Sequence, residues 1–275
     1  MTEGTEHPLG AQHLAGCVAL SRAAGWNQNE ADWRLMLAIG HGWGITLADG
    51  TLAASTLVLP FETFAWVSMV LVLPTQRRKG YATRLLRVAL EDLHKRGLTP
   101  VLDATPDGRE VYRLAGFRDT WGFKRYSLKK GISAPHKSGS DPDFREWSYV
   151  LELDRRAFGA SRERLLRDLA RRLPQAARAI PGKGFVLGRE GREALQLGPL
   201  VARDEETAIA LLSQALGAVE PPLYVDVVDH APRLGRWLQD QGFAVQRPFT
   251  RMVHGADRAP GDERLVYLVA GPELG

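Results

Sequence analysis

The sequence predicts an α/β fold written twice in tandem, and three observations carry that expectation. An apolar run over residues 64–73 leads through a basic, glycine-containing turn into apolar residues at helical spacing. A second strand, turn and helix follow over residues 100–117. Shifting the chain by 126 residues then lays the second half on the first.

The run 64–73 is apolar at nearly every position, which suits a strand covered on both faces, and Pro74 ends it. From Ala82, the residues Leu85, Leu86, Ala89, Leu90 and Leu93 predict an amphipathic helix. The turn between them is therefore expected at a helix N-terminus, where unpaired N–H groups and the positive end of the helix dipole attract an anion. Gly80 permits close backbone approach, and Arg77, Arg78 and Lys79 add positive charge. Arg96-Gly97 stops the helix, residues 100–104 read as a short strand, 105–108 as a turn, and Gly116-Phe117 ends a further helix.

Residues 132–143 are rich in Ser, Gly and Pro and read as a linker between units at 1–131 and 144–275. In the 126-residue register, Ala82, Leu85, Leu86, Ala89 and Leu90 fall on Ala208, Leu211, Leu212, Ala215 and Leu216. Asp103 falls on Asp229, Gly116-Phe117 on Gly242-Phe243, and Phe123 with Arg125 on Phe249 with Arg251. A tandem duplication follows. Its second copy replaces Gly80-Tyr81 with Glu206-Thr207 behind Asp204 and Glu205, acids that repel a pyrophosphate, and holds Leu238 where the first has Tyr112. A structural or acceptor-binding role is expected there, with one cofactor bound per chain.

The spacing Arg77-x-x-Gly80-x-Ala82 resembles the acetyl-CoA signature of the GNAT N-acetyltransferase superfamily. Tyr112, four residues before Gly116-Phe117, resembles that family's second signature, with Thr105 in place of a CoA-contacting asparagine. The resemblance implies two tandem GNAT-like domains, each a mixed, largely antiparallel central sheet flanked by helices, the second degenerate. It further implies acetyl-CoA as co-substrate, with pyrophosphate on the amides around Arg77, Arg78, Lys79, Gly80, Tyr81, Ala82 and Thr83. The pantetheine would lie along Val70, Leu71 and Val72, a backbone N–H near Val72 would face the oxyanion, and Tyr112 would protonate the leaving thiolate. The implied acceptor is a primary amine of a small molecule or peptide. The rival reading is a non-catalytic acyl-CoA-binding regulatory module.

The family's usual glutamate base is replaced by Trp66. Glu62, Asp103 and His41 are possible substitutes, but they read respectively as a solvated turn residue, a cap for the next helix and a loop residue, so no base is assigned. Glu30 and Asp32 lie in the region, 25–33, that corresponds to the family's acceptor side and would suit a cationic amine. Trp26, Trp33, Trp43 and Trp66 read as core packing before an aromatic pocket.

Composition narrows the remaining classes. The 275 residues are 44% hydrophobic, enough for two packed units. The longest apolar run is too short to span a bilayer, and the first seven residues do not read as a secretory signal, so a cytoplasmic protein is expected. Cys17 is the only cysteine, which excludes an internal disulfide and a multi-cysteine zinc site, and no metal is expected. The net charge of +4 is spread along the chain rather than gathered in a stripe, which argues against a nucleic-acid partner. Both monomer and homodimer remain open.

Overall fold

The computed structural model describes residues 4–129 and 147–275. The linker expected at 132–143 and the two unit boundaries beside it lie outside the described residues.

In the first half, strand β1 (Thr5–Pro8) is followed by helices α1 (Leu14–Ala23) and α2 (Glu30–Ile39) and strands β2 (His41–Thr46), β3 (Leu52–Pro60) and β4 (Phe64–Val72). Helix α1 buries Leu14, Cys17 and Leu20 on one face. Burial pushes the Cys17 thiol up to about 12, as a structural cysteine requires. Helix α2 starts on a reciprocal cap: Asn29 Oδ1 accepts from the Asp32 N–H at 3.0 Å, and the Asp32 carboxylate accepts from the Asn29 N–H at 2.9 Å. Helix α3 (Tyr81–Lys95) turns Leu85, Leu86, Ala89 and Leu93 into the core, as the spacing predicts.

Strand β5 (Thr99–Ala104), helix α4 (Pro106–Leu114) and the long strand β6 (Phe117–Leu128) complete this half. The turn expected at 105–108 is in fact the first turn of α4. Thr105 is its N-cap, its hydroxyl accepting from the Gly108 N–H at 3.3 Å, and Pro106 opens the helix, where a missing N–H costs nothing.

The second half repeats the pattern with α5 (Trp147–Phe158), α6 (Glu163–Arg172), β7 (Arg178–Ile180), β8 (Gly184–Arg189), β9 (Leu195–Ala202) and α7 (Glu205–Leu216). It ends with β10 (Leu223–Val228), α8 (Pro232–Asp240), β11 (Ala244–His254) and β12 (Val266–Leu268). The described strands form one twelve-stranded sheet in the order β1-β2-β3-β4-β5-β11-β6-β10-β12-β9-β8-β7. Among the described strands only β4–β5 and β9–β10 pair parallel, so the sheet is mixed and mostly antiparallel.

That order interleaves the halves. β11, from the second half, lies between β5 and β6 of the first, and β6 lies between β11 and β10. The exchange is close to two-fold symmetric about Phe123 and Phe249, which face each other across the β6–β11 pair. On one side Arg251 Nε and Nη2 bond both carboxylate oxygens of Asp103 at 2.9 Å. On the other, Arg125 bonds both oxygens of Asp226 at 2.8 and 2.7 Å. The partner of Asp103 in the repeat is therefore Asp226. The expected Asp229 lies beyond β10 and pairs with exposed Lys124, so the 126-residue register slips by three here and holds on either side.

Candidate active site

The site begins with a bend in β4. Opposite Ser55 stands Leu71, but opposite Leu57 stands Ser68, so β4 carries one extra residue there. Met69 absorbs it at φ 51°, unusual for a residue with a side chain, and the Ser55 hydroxyl donates to the Met69 carbonyl at 2.8 Å. Pairing between β4 and β5 covers only Phe64, Ala65 and Trp66 opposite Thr99, Pro100 and Val101. Past Trp66 the strands part.

The gap opens into a cavity. Residues 67–70 of β4 and Leu102 and Asp103 of β5 line it, together with Thr105 and Tyr112. Trp26, Asn27 and Gln28 contribute from before α2, and the second half adds Arg247, Phe249, Pro272 and Glu273. Of the three expected pantetheine residues, Val70 borders the cavity, Leu71 is buried in the core, and Val72 is partly buried against the small cluster that includes Ile45 and Tyr81.

Beyond the end of β4 lies the basic turn. Arg78 at φ 62° and Gly80 at φ 79° both adopt the left-handed conformation, and Gly80 is the N-cap of α3 without a side chain to cap it. Helices α2, α4 and α7 start instead on Asn29, Thr105 and Asp204, whose side chains accept from their first turns. The α3 turn therefore presents its N–H groups outward. Arg77 and Arg78 are exposed with no ion-pair partner among the described residues, and Lys79 bonds Gln76 at 2.7 Å. Tyr81 packs into the core beside Ile45 and Leu85, so only its backbone faces the turn. Ala82 and Thr83 follow in the same helical turn.

Tyr112 stands on α4 with its ring against Phe117, centroids 5.9 Å apart. Its hydroxyl has no hydrogen-bond partner among the described residues. Burial pushes the phenol up to about 12, so it holds its proton at neutral pH.

The carboxylates singled out from sequence are committed elsewhere. Glu62 accepts from Arg155 at 2.9 Å and from the Ser161 N–H at 3.2 Å, outside the cavity. Asp103 is no helix cap. It is fully buried in β5, both oxygens are taken by Arg251, and desolvation raises its pKa against the opposing pull of that guanidinium. His41 opens β2 rather than a loop and bonds Asp92 at 3.0 Å. Glu30 is exposed and paired with Arg34, whereas Asp32 is buried and holds Arg172 and Arg189 of the second half. Neither faces the cavity. Trp33 and Trp66 are buried, and Trp26 alone of the four tryptophans lines the cavity.

Trp66 has a different task. Its indole N–H donates to the Pro272 carbonyl at 2.9 Å, and its ring lies 4.4 Å from the Arg251 guanidinium, which also covers Trp121 at 4.1 Å. Glu273, beside that anchor, is 2% exposed. Sequence reading passed over Gln28, Ser68, Arg247 and Glu273. For Glu273 the one available signal was the Gly-Pro-Glu stretch at 271–273, which has no helical or strand periodicity.

Residues 14–117 match the acetyltransferase (GNAT) family, and residues 150–268 match an acetyltransferase (GNAT) domain. The chain belongs to the GNAT acetyltransferases. It is 23% identical over 246 residues to an uncharacterized N-acetyltransferase, YitH, of Bacillus subtilis, with 86% of each chain covered. A putative acetyltransferase from Pyrococcus horikoshii has the same fold, with a TM-score of 0.79 at 20% identity over 98% of this chain and 95% of that one. A GCN5-related N-acetyltransferase from Sphaerobacter thermophilus aligns with a TM-score of 0.62 at 19% identity, over 94% and 97%.

Both GNAT units split their sheet, but only the first split is open. In the second, β9 and β10 pair parallel over three residues, and β12 then enters between them, bonding to both. The α7 N-terminus is capped as well, Asp204 accepting from the Thr207 N–H at 2.7 Å, while the adjacent Glu205 accepts from the Leu234 N–H of α8 at 2.8 Å. Leu238, at the tyrosine position, is fully buried. No described helix is long and apolar enough to cross a membrane, and no described group of three or more His, Cys, Asp or Glu side chains is placed to hold a metal ion.

Proposed function

We propose that the first GNAT unit moves an acetyl group from acetyl-CoA to a primary amine of a small molecule or peptide, acting in the cytoplasm. What carries this reading is the uncapped, left-handed turn at Arg78 and Gly80, standing at the end of a strand that has parted from its neighbour. The pyrophosphate binds the amides from Arg78 to Thr83, with Arg77, Arg78 and Lys79 around it. The pantetheine runs along the open edge of β4 from Val72 to Val70, its amides pairing as a neighbouring strand would. Thr105 keeps its capping role at the far side of the gap.

The thioester then lies between β4 and Tyr112. Amine nitrogen attacks the carbonyl carbon, the C–N bond forms, and backbone N–H groups of β4 stabilise the oxyanion. As the C–S bond breaks, the Tyr112 hydroxyl gives its proton to the sulfur, and the proton that the attacking nitrogen loses on becoming an amide restores the phenol. One CoA binds per chain, because β12 fills the second gap. Acetyl-CoA titration together with thiol release across an amine panel tests the reading. Tight binding without release for any amine would overturn acetyl transfer in favour of a regulatory acyl-CoA module.

A further inference from the structure

Four residues lining the same cavity each carry a buried polar atom without a hydrogen-bond partner among the described residues: Gln28 Oε1, Ser68 Oγ, Arg247 Nε and Glu273 Oε2. Gln28, Ser68 and Glu273 are 3%, 6% and 2% exposed, so bulk water does not reach them freely. A buried polar atom without a partner is costly, and four around one space mark where a guest's polar groups belong.

The charges around the cavity define that guest further. Asp103 is matched by Arg251, and Asp226 by Arg125. Asp32 is held by Arg172, which also pairs with Glu190 and Asp168, and by Arg189, which also pairs with Glu273 and leaves Glu273 Oε2 open. Arg247 alone among these cations has no ion-pair partner among the described residues. It lies over the Phe249 ring at 5.1 Å, and burial and the nearby Arg125 charge both disfavour its cation. One unmatched cation calls for a guest with one negative charge. Glu273 Oε2 and Gln28 Oε1 call for N–H donors.

We infer that the acceptor is a small zwitterion, an amine that also carries a carboxylate: its carboxylate meets Arg247, and its ammonium meets Glu273 and Gln28. Arg247 belongs to the second half, so the degenerate unit supplies acceptor specificity to the first. Glu273 Oε2 accepts a proton from the ammonium, freeing the nitrogen lone pair for attack on the thioester, and gives that proton up to water that enters once the products have left. A singly charged carboxylate fits the single unmatched cation better than a phosphate dianion.

This inference rests on the acetyl-transfer reading but is tested by binding, which separates the two. CoA-saturated protein is titrated calorimetrically with the common α-amino acids, β-alanine and γ-aminobutyrate, with their carboxamides and decarboxylated amines, and with phosphoethanolamine. At least one amino carboxylate is expected to bind about 10- to 100-fold more tightly than its carboxamide and its amine. Arg247→Met should shrink that preference to within about threefold, Arg247→Lys should restore part of it, and neither should alter CoA affinity. Glu273→Gln should weaken binding of amine and amino carboxylate alike. Equal binding with and without the carboxylate, stronger binding of phosphoethanolamine, or no binding by any zwitterion overturns the inference. Zwitterion binding without thiol release from acetyl-CoA would leave it standing and overturn acetyl transfer instead.

Discussion

Phe123 and Phe249 face each other across the β6–β11 pair with ring centroids 5.0 Å apart and planes 9° from parallel. They mark the point about which the two units exchange strands, and a bidentate Arg–Asp pair flanks them on each side. The exchange makes the two units one cooperative body.

Arg251→Met should therefore destabilise the whole chain by about 3–5 kcal/mol, since it leaves the Asp103 carboxyl buried and unpaired. Arg125→Met should cost a similar amount through Asp226. Urea unfolding should show a single transition in both variants. Two separated transitions would contradict the interleaved sheet.

Gly80→Ala puts a side chain at φ 79° where no atom lies within 4 Å of the added carbon. The cost to folding is thus conformational only, about 1–2 kcal/mol. Because the turn must hold this shape to present its N–H groups, acetyl-CoA affinity should fall by roughly tenfold or more, as calorimetry would read. Unchanged affinity would remove the pyrophosphate from this turn.

Tyr112→Phe should lower kcat by about 10²–10⁴ while leaving the acetyl-CoA Kd unchanged. Burial disfavours the charged phenolate, so the proton is lost only as the pH approaches about 12. The alkaline limb of the kcat profile should consequently stay flat, as far as Tyr112 is concerned, to roughly pH 11. A limb with a midpoint near neutrality that disappears in the phenylalanine variant would contradict this environment.

Acetyl-CoA should bind with a stoichiometry of one per chain. Asp204→Ala removes the cap of α7 and should cost about 1 kcal/mol of stability. It should not create a second site, because β12 still occupies the gap between β9 and β10. A stoichiometry of two in either protein would refute the assignment.

Features set by neighbours in sequence were legible from the sequence. The strand before Pro74, the uncapped basic turn and the spacing of Leu85, Leu86, Ala89 and Leu93 all follow from local pattern. The place of Tyr112 at the cavity was legible because its offset from Gly116 is fixed by one helix. Arg247 and Glu273 were not, because nothing local says that β11 crosses into the first half or that Trp66 anchors Pro272. Asp103 was misread for the same reason: beside a turn it looks like a cap, and only β11 brings Arg251 to it. The slip that gives Asp226 its role is a change of three residues around β10, invisible to a gapless register.

The exchanged strand also has a consequence for how the chain is made. Arg251 reaches Asp103 across 148 residues, so β5 leaves the ribosome long before its permanent neighbour. At about 5–20 residues per second, that delay is roughly 7 to 30 seconds. Throughout it the nascent first unit carries a bare sheet edge, the kind of surface that recruits chaperones or other unfinished chains. Translation halted in that interval yields an incomplete sheet rather than a smaller enzyme.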